Sequence, residues 1–379
     1  MATTYEQRPA TFGEASRQEW NDWHWQQRNR LRGLEELDEA IGLTDAEREA
    51  FRACEGAFRT AVTPYYAALI DREDPACPIR RQALPDLGET DERDFELEDP
   101  LAEEAHMPVP GVTHRYPDRV LFYVTHNCPV YCRHCTRKRK VSDPTTAAST
   151  GQIERGLDYI AGNDQVRDVL LSGGDPLTLS DARLDAILGR LRAIDHVEVV
   201  RIGTRNPVTL PQRITDDFCD MLRAHRPVYL NTHFNHPREL TDEATEALGR
   251  LLSASCVLGN QMVLLRGVND DPETVMQLNR RLLEVGCRPY YILQCDMARG
   301  ITHFRTSLKR GLEIMDHLRG RIAGMGVPDF VVDLPGGGGK VELVPNYVEE
   351  VDADGEGDRR IVFRNWAGET FEFVDIVDE

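Results

Sequence analysis

The sequence predicts an α/β fold with a partial or full β/α barrel, and three observations lead to it. Short apolar runs alternate with helical stretches from residue 119 to residue 332. Strands that alternate with helices imply a parallel sheet with right-handed crossovers, and this many units are typical of a barrel. The length of 379 residues, 41% of them hydrophobic, is sufficient for a core of that size.

The N-terminal region, residues 14–68, has the pattern of a helical layer. Thr44 and Glu47 have the spacing of a capping box, so we expect a helix to begin there. Trp20, Trp23 and Trp25 are close in the chain, and their spacing favours packing in the core over the alternative, a ligand cleft. Residues 71–112 are rich in proline and acidic residues, which predicts an irregular connection. Residues 1–112 are therefore expected to form a helical region with a wrapping linker.

The barrel is expected to span residues 113–340. Its predicted helices include residues 153–160 and 182–194, and its predicted strands are residues 120–124, 169–171, 197–202, 228–230, 261–265, 290–294 and 330–332. After Lys340 the alternation stops. Residues 360–374, broken at Ala367 and Gly368, predict a hairpin within a C-terminal extension of residues 341–379.

Composition excludes several classes of function. The net charge of -19 disfavours binding to a nucleic acid backbone, although the basic run at residues 133–140 needs its own explanation. The N-terminus has no apolar stretch and the chain has no run of about 18 uncharged apolar residues, so we expect a cytoplasmic protein with no membrane partner. Nine cysteines, an odd number without a secretory signal, predict free thiols or thiolate ligands.

Three of the cysteines cluster directly after the first predicted barrel strand. Cys128, Cys132 and Cys135 have a C-x3-C-x2-C spacing. Three thiolates from one loop suit an iron-sulfur cluster with one iron left open to another ligand. The alternatives are a zinc site completed by His134 or His126, and three unrelated cysteines.

Two glycine-containing stretches follow predicted strands. Ser172, Gly173, Gly174 and Asp175 end the second strand, where small residues let the backbone approach a ligand closely. Four glycines precede Lys340, and such a tract after a strand implies contorted backbone packed against a neighbour. Lys340 would then stand at the barrel mouth, where a lysine can carry pyridoxal phosphate. A flexible tip with a solvated lysine is the alternative.

The cysteine spacing, with Tyr131 before the second cysteine, resembles the radical S-adenosylmethionine (SAM) superfamily. The segment from Asp333 to Lys340 is similar to the pyridoxal-binding loop of the lysine 2,3-aminomutase family. Similarity to that family extends through residues 22–25, 63–66, 113–119, 131–137, 231–237 and 303–306. The resemblance implies a radical SAM type of β/α barrel that holds a 4Fe-4S cluster, SAM and pyridoxal 5'-phosphate.

The resemblance also implies roles for particular residues. The three cysteines bind the cluster and Lys340 carries pyridoxal phosphate, and these four residues are expected to be catalytic. The residues expected to contact SAM are Ser172, Gly173, Gly174, Asp175, His233 and Gln261. Those expected near the phosphate and phenolate of pyridoxal phosphate are Arg115, Arg119 and His134, although surface exposure is the alternative for the arginines. Arg137 is expected to bind the α-carboxylate of the substrate, and Asp296 and Asp333 its distal ammonium.

The activity implied by the resemblance is conversion of L-lysine to L-β-lysine by migration of an amino group between neighbouring carbons. A reductant such as ferredoxin or flavodoxin would supply the electron, and a homo-oligomer is expected because the family oligomerises. Some members bind structural zinc through additional cysteines; this chain has Asp270 and Asp271 in the corresponding loop and no cysteine after Cys295, so no structural zinc is expected. The rival functions are a mutase acting on arginine, ornithine or a protein-bound lysine, and, more distantly, a non-catalytic iron-sulfur sensor.

Overall fold

In a computed structural model of the chain, the main element is a nine-stranded sheet whose strands follow one another in chain order. The structure describes residues 4–54, 58–141, 148–351 and 359–375. The remaining residues of the predicted helical region, of the predicted barrel (142–147) and of the predicted C-terminal extension lie outside the described residues. The strands are β1 Val112–Tyr116, β2 Arg119–Thr125, β3 Asp168–Gly173, β4 Val199–Gly203, β5 Val228–Thr232, β6 Cys256–Leu264, β7 Arg288–Gln294, β8 Asp329–Leu334 and β9 Gly339–Glu342.

The sheet forms a nearly closed barrel. Strands β2 to β8 pair in parallel, while β1 and β9 are antiparallel edges. The two edge strands, β1 and β9, are joined by a hydrogen bond that involves a side chain. The Tyr116 hydroxyl on β1 accepts from the Lys340 backbone N–H on β9 at 3.0 Å. Arg115 on β1 also donates to Asp333 on β8 at 3.0 Å. The predicted α/β barrel is confirmed, in its partial form.

Most helices on the barrel begin where the sequence offers a capping side chain. Ser149, Ser180, Thr215, Thr241 and Asp271 each accept a hydrogen bond from the first turn of a helix, which satisfies an otherwise unpaired N–H. The helices are α7 Thr150–Ala161, α8 Asp181–Arg192, α9 Asn206–Thr209, α10 Asp216–Ala224, α11 Asp242–Ser253, α12 Pro272–Glu284 and α13 Leu308–Leu318. In the part of the chain that the structure describes, none of the helices is both long and apolar enough to cross a membrane.

The N-terminal layer is helical, as predicted, but consists of short segments. They are α1 Arg17–Asn21, α2 Trp23–Arg28, α3 Leu34–Ile41, α4 Asp45–Ala53, α5 Pro64–Ala68 and α6 Pro78–Ala83. The capping box of Thr44 and Glu47 is present at the start of α4. Trp20 is completely buried, with its ring 6.1 Å from that of Trp25, so these side chains pack in the core.

Several elements differ from the predictions. The predicted irregular segment contains α6, because Pro78 occupies a first-turn position, where proline starts a helix rather than breaking it. β1 was not predicted, because Thr113, His114 and Arg115 are polar and show no apolar alternation. β6 begins at Cys256, before the predicted start at residue 261. The proposed domain boundaries after residues 112 and 340 therefore fall inside β1 and β9.

The predicted C-terminal hairpin is confirmed. It joins β11 Arg359–Arg364 and β12 Thr370–Asp375 in antiparallel pairing. A third strand, β10 Val348–Val351, pairs with β11 and was not predicted. This small sheet is separate from the barrel sheet.

Candidate active site

One cavity of about 600 Å³ lies where the barrel strands run out into loops, the usual site of chemistry in such barrels. Every site residue predicted from the sequence lines it. These residues are Arg115, Arg119, Cys128, Cys132, His134, Cys135, Arg137, Ser172, Gly173, Gly174, Asp175, His233, Gln261, Asp296, Asp333 and Lys340. The structure therefore brings the cysteines, the glycine turn, the acidic pair and the lysine to one space.

The cysteine loop follows β2 directly, and two of its three sulfurs accept hydrogen bonds. The Cys132 Sγ accepts from the Arg205 guanidinium at 2.8 Å, and the Cys135 Sγ accepts from the backbone N–H of Arg137 at 3.4 Å. Burial raises the pKa of Cys128, and Asp175 and the other two cysteines raise it further. Donors to sulfur favour the thiolate, the form that binds iron, so the loop fits an iron-sulfur cluster.

No group of three His, Cys, Asp or Glu side chains within the described ranges is arranged around a single metal ion. The three cysteine ligands of a cubane cluster bind three different irons. Their thiols therefore need to border one space without converging on one point.

The glycine turn after β3 packs against the start of the cysteine loop. Gly173 has a φ of +121°, and a Cβ on it would lie 2.1 Å from the Thr125 carbonyl oxygen. A Cβ on Gly174 would lie 2.4 Å from the Asn127 carbonyl oxygen. Neither position admits a side chain, so both glycines are needed for this close approach.

Asp175 connects the glycine turn to the loop after β4. Its carboxylate accepts from the Thr204 hydroxyl and the Arg205 backbone N–H, both at 2.7 Å, and from the Leu177 backbone N–H at 3.1 Å. The side chain expected to contact SAM thus holds neighbouring backbone in place.

Arg137 is fixed by a buried carboxylate that sequence reasoning missed. Its Nε and terminal nitrogen donate to Glu103 at 3.0 and 2.7 Å, and Glu103 also accepts from the Tyr123 hydroxyl. Burial alone would raise the pKa of Glu103, but Arg137 and Tyr123 outweigh it and lower the pKa to about 2. A charged guanidinium is therefore held in one orientation at the cavity wall.

The acidic pair, Asp296 and Asp333, lines the same cavity as Lys340. Burial first, and the neighbouring Asp333 second, raise the pKa of Asp296 to about 7. Asp333 accepts from Arg115 at 3.0 Å and from the Lys340 Nζ. Asp296 is therefore the carboxylate for which a bound cation would relieve the greater electrostatic cost.

The glycine tract before Lys340 is a tight hairpin rather than a flexible tip. Gly336, Gly337 and Gly339 have φ values of +68°, +83° and +86°, a region that other residues rarely adopt. Lys340 lies on β9, directly opposite Asp333 in the antiparallel register. The glycine tract had suggested a lysine carried on a loop, but in the structure a short strand presents Lys340.

Two of the residues expected near pyridoxal phosphate have other surroundings. Arg119 pairs with Asp118 at 2.8 Å, and its side chain is 47% exposed although it borders the cavity. Burial lowers the pKa of His134 well below its ordinary value, so this ring is neutral. It can donate a hydrogen bond to a phosphate but offers it no charge.

The basic run at residues 133–140 is largely balanced by the preceding acidic segment. Arg133 and Lys138 both pair with the buried Glu89, and Arg139 pairs with Asp99 at 3.1 Å. These ion pairs hold the wrapping linker, residues 71–112, against the cysteine loop. The basic run therefore forms ion pairs within the protein, in addition to contributing Arg137 to the cavity.

Comparisons with known proteins find two matching sequence models and several similar enzymes. The sequence model described as "Radical SAM superfamily" matches residues 122–279, and the one described as "Lysine-2,3-aminomutase" matches residues 315–374. The L-lysine 2,3-aminomutase of Clostridium subterminale is 50% identical over 94% of this chain and 85% of its own length. That of Acetoanaerobium sticklandii is 49% identical over 94% of this chain and 85% of its own length. The glutamate 2,3-aminomutase of Clostridioides difficile is 44% identical over 94% of this chain and 83% of its own length.

Proposed function

Because the chain belongs to the lysine 2,3-aminomutase family of radical SAM enzymes, we propose that it isomerises L-lysine to L-β-lysine with the aid of pyridoxal phosphate at Lys340. The observation that carries this proposal is the single cavity lined by the cysteine triad, the fixed Arg137, the acidic Asp296 and Lys340. When bound, the cluster and SAM supply hydrogen-atom abstraction, and pyridoxal phosphate supplies a carrier for the migrating nitrogen. The chain's own residues bind, orient and shield the reactants.

The distribution of charge supports a basic amino acid as substrate. Arg137 uses its Nε and one terminal nitrogen to pair with Glu103, and its other terminal nitrogen donates to the Ser172 hydroxyl at 3.3 Å. This leaves one N–H on each terminal nitrogen for an α-carboxylate. Asp296 offers a half-buried carboxylate whose pKa is raised by burial and by Asp333, and a cationic side chain would satisfy it. A second carboxylate on the substrate, as in glutamate, would be repelled there. Arginine and ornithine would also satisfy the acid, so substrate length has to be tested directly.

Residues near Lys340 support the assignment of pyridoxal phosphate. Arg115 and Lys340 share Asp333 as their acceptor, and the Tyr116 ring lies 4.9 Å from the Arg115 guanidinium. This group of a primary amine, a guanidinium fork and an aromatic ring fits an anionic aromatic aldehyde. Electrons would come from a low-potential donor such as ferredoxin or flavodoxin, and the working form would be a homo-oligomer.

The experiment that tests this function is anaerobic incubation of iron-reconstituted protein with SAM, a reductant and pyridoxal phosphate. Lysine, arginine, ornithine, glutamate and a lysine-containing peptide would be offered separately, and β-amino products identified by mass. We expect β-lysine as the dominant product. A β-amino product from another substrate alone would reassign the substrate. A cluster without cleavage of SAM would instead support the iron-sulfur sensor.

Use of lysine is expected to decline as the pH falls below about 7, the value to which burial and Asp333 raise the pKa of Asp296. Protonation removes the charge that attracts the ammonium, so kcat/KM, which reports groups of the free enzyme, should fall about tenfold per pH unit in acid. The measurement is kcat/KM for lysine from pH 5.5 to 9. An Asp296→Asn variant should lack this acid limb.

Stability of the substrate-free protein should have the opposite dependence on pH. A carboxyl whose pKa is raised on folding binds its proton more tightly in the folded state, so its stabilising contribution is complete below the ordinary value of 3.8 and is lost as the pH rises through about 7. Thermal unfolding at several pH values measures this contribution as the difference between the unchanged protein and the Asp296→Asn variant. A difference independent of pH would contradict the assignment of this pKa.

A further inference from the structure

Arg205 is a buried cation in direct contact with a cluster cysteine, and the mechanism above gives it no task. It follows β4 and its side chain is 8% exposed. Its guanidinium donates to the Cys132 Sγ at 2.8 Å, to the Gln82 side-chain oxygen at 2.6 Å and to Glu239 at 2.7 Å. One guanidinium thus connects the cysteine loop to the N-terminal layer and to the barrel.

The partners of Arg205 hold it in one orientation. Glu239 is completely buried, and its carboxylate also accepts from the Tyr66 hydroxyl at 2.8 Å and from the Asn235 backbone N–H at 2.6 Å. The Arg205 backbone N–H is itself bonded to Asp175 at 2.7 Å. With both its backbone and its side chain fixed, the positive charge cannot move away from the sulfur.

The three cluster sulfurs consequently have unequal surroundings. Cys132 receives a charged donor at 2.8 Å, whereas Cys135 receives a neutral backbone N–H at 3.4 Å. Cys128 has the carboxylate of Asp175 as a neighbouring charge. Hydrogen bonds from charged donors are roughly twice as strong as neutral ones, so Cys132 is the sulfur best able to carry additional negative charge.

We propose that Arg205 is a positioning residue that raises the reduction potential of the iron-sulfur cluster through its charged hydrogen bond to Cys132. Reduction moves one electron from a low-potential donor to the cluster, makes no covalent bond and spreads the added charge partly over the thiolates. A fixed donor at a thiolate stabilises this reduced form more than the oxidised form. The inference rests on the proposed function, because it requires the cluster at the cysteine triad.

The test compares two substitutions of Arg205 with a matched substitution of another buried arginine. Arg205→Gln removes the charge, and Arg205→Lys keeps the charge but replaces the planar fork. Arg80→Gln is the control, because Arg80 is 1% exposed and is paired with Glu47 and the Gly42 carbonyl, not with a cluster cysteine. Each iron-reconstituted protein would be titrated anaerobically with dithionite without SAM, and the reduced cluster followed by electron paramagnetic resonance. Binding of SAM would be measured in parallel.

The expected result is a more negative midpoint potential in both Arg205 variants and an unchanged one in Arg80→Gln. For Arg205→Gln the change should be at least about tenfold in the equilibrium constant, which is about 59 mV for one electron, with a smaller change for Arg205→Lys. Equal potentials in all four proteins would overturn the inference, as would an equal shift in Arg80→Gln. Weaker SAM binding at an unchanged potential would make Arg205 a SAM ligand instead.

Loss of iron from the Arg205 variants would also decide the question. If Arg205→Gln cannot keep its irons, Arg205→Lys decides the question alone. If both variants lose their irons while Arg80→Gln keeps them, Arg205 holds the site together and does not tune it, and the inference is wrong. Absence of a cluster signal in the unchanged protein would instead be a failure of the proposed function.

Discussion

Replacing Cys132 with alanine is expected to reduce formation of β-lysine to the level of a reaction without enzyme. Cys132 is the central thiol of the triad and the acceptor of the Arg205 hydrogen bond. Its loss would remove one of the three proposed iron ligands and leave the Arg205 charge facing a void. The measurements are β-lysine formation, cleavage of SAM and bound iron per chain.

The matched control for this change is Cys256→Ala. Cys256 is buried at the start of β6 and does not line the cavity, so its variant should keep its irons and most of its activity. An active Cys132→Ala enzyme, or an equal loss in Cys256→Ala, would contradict the assignment of the triad.

Replacing Asp296 with asparagine is expected to have the next largest effect, and on lysine in particular. Removing one partner of a buried charge pair typically costs about 2–5 kcal/mol, which corresponds to roughly 30- to 4,000-fold in kcat/KM. The loss should be much smaller for norleucine, a neutral analogue of similar shape. Kinetics with both amino acids, together with iron content, measure the effect.

Asp164→Asn provides the comparison for that variant. Asp164 is exposed and lies outside the cavity lining, so the same chemical change there should leave both substrates unaffected. An Asp296→Asn enzyme that uses lysine normally would exclude Asp296 as the site of the substrate's ammonium.

The sequence was sufficient to predict the barrel and the residues that meet in its cavity. The positions of the cysteine loop and the glycine turn follow from one geometric rule, since parallel strands in a barrel deliver the residues at their carboxyl ends to the same mouth. Other site residues, among them Arg115 on β1 and Arg119 at the start of β2, were predicted from the resemblance to the lysine 2,3-aminomutase family. The cysteine loop follows β2, the Gly173 turn ends β3 and Asp333 lies next to the last residue of β8. The roles of these residues remain predictions that the experiments above address.

Side-chain partners from other parts of the chain could not be predicted in the same way. Glu103 lies in an acidic stretch where no local pattern distinguishes it, yet it is the residue that fixes Arg137. The partnership of Arg205 with Glu239 likewise depends on how two loops pack. Arg205 itself could have been predicted from the position of residues after barrel strands, because it is a polar residue in the loop that follows β4.

Local conformations were missed where the sequence pattern was weak. β1 is a polar strand that is held by antiparallel pairing with β2, so alternation of apolar residues could not reveal it. The placement of Lys340 on β9 depends on a tight glycine hairpin. A glycine run by itself is equally compatible with a flexible loop.

The central claim is that one cavity holds an iron-sulfur cluster at the cysteine triad and pyridoxal phosphate at Lys340. Its most direct test is borohydride reduction of anaerobically purified, iron-loaded protein incubated with pyridoxal phosphate, followed by peptide mass mapping. We expect one pyridoxyl group per chain on the peptide that contains Lys340, and none in a Lys340→Ala variant that retains its irons. Iron-loaded protein that carries no pyridoxyl group at Lys340, or carries it on a different lysine, would contradict the claim.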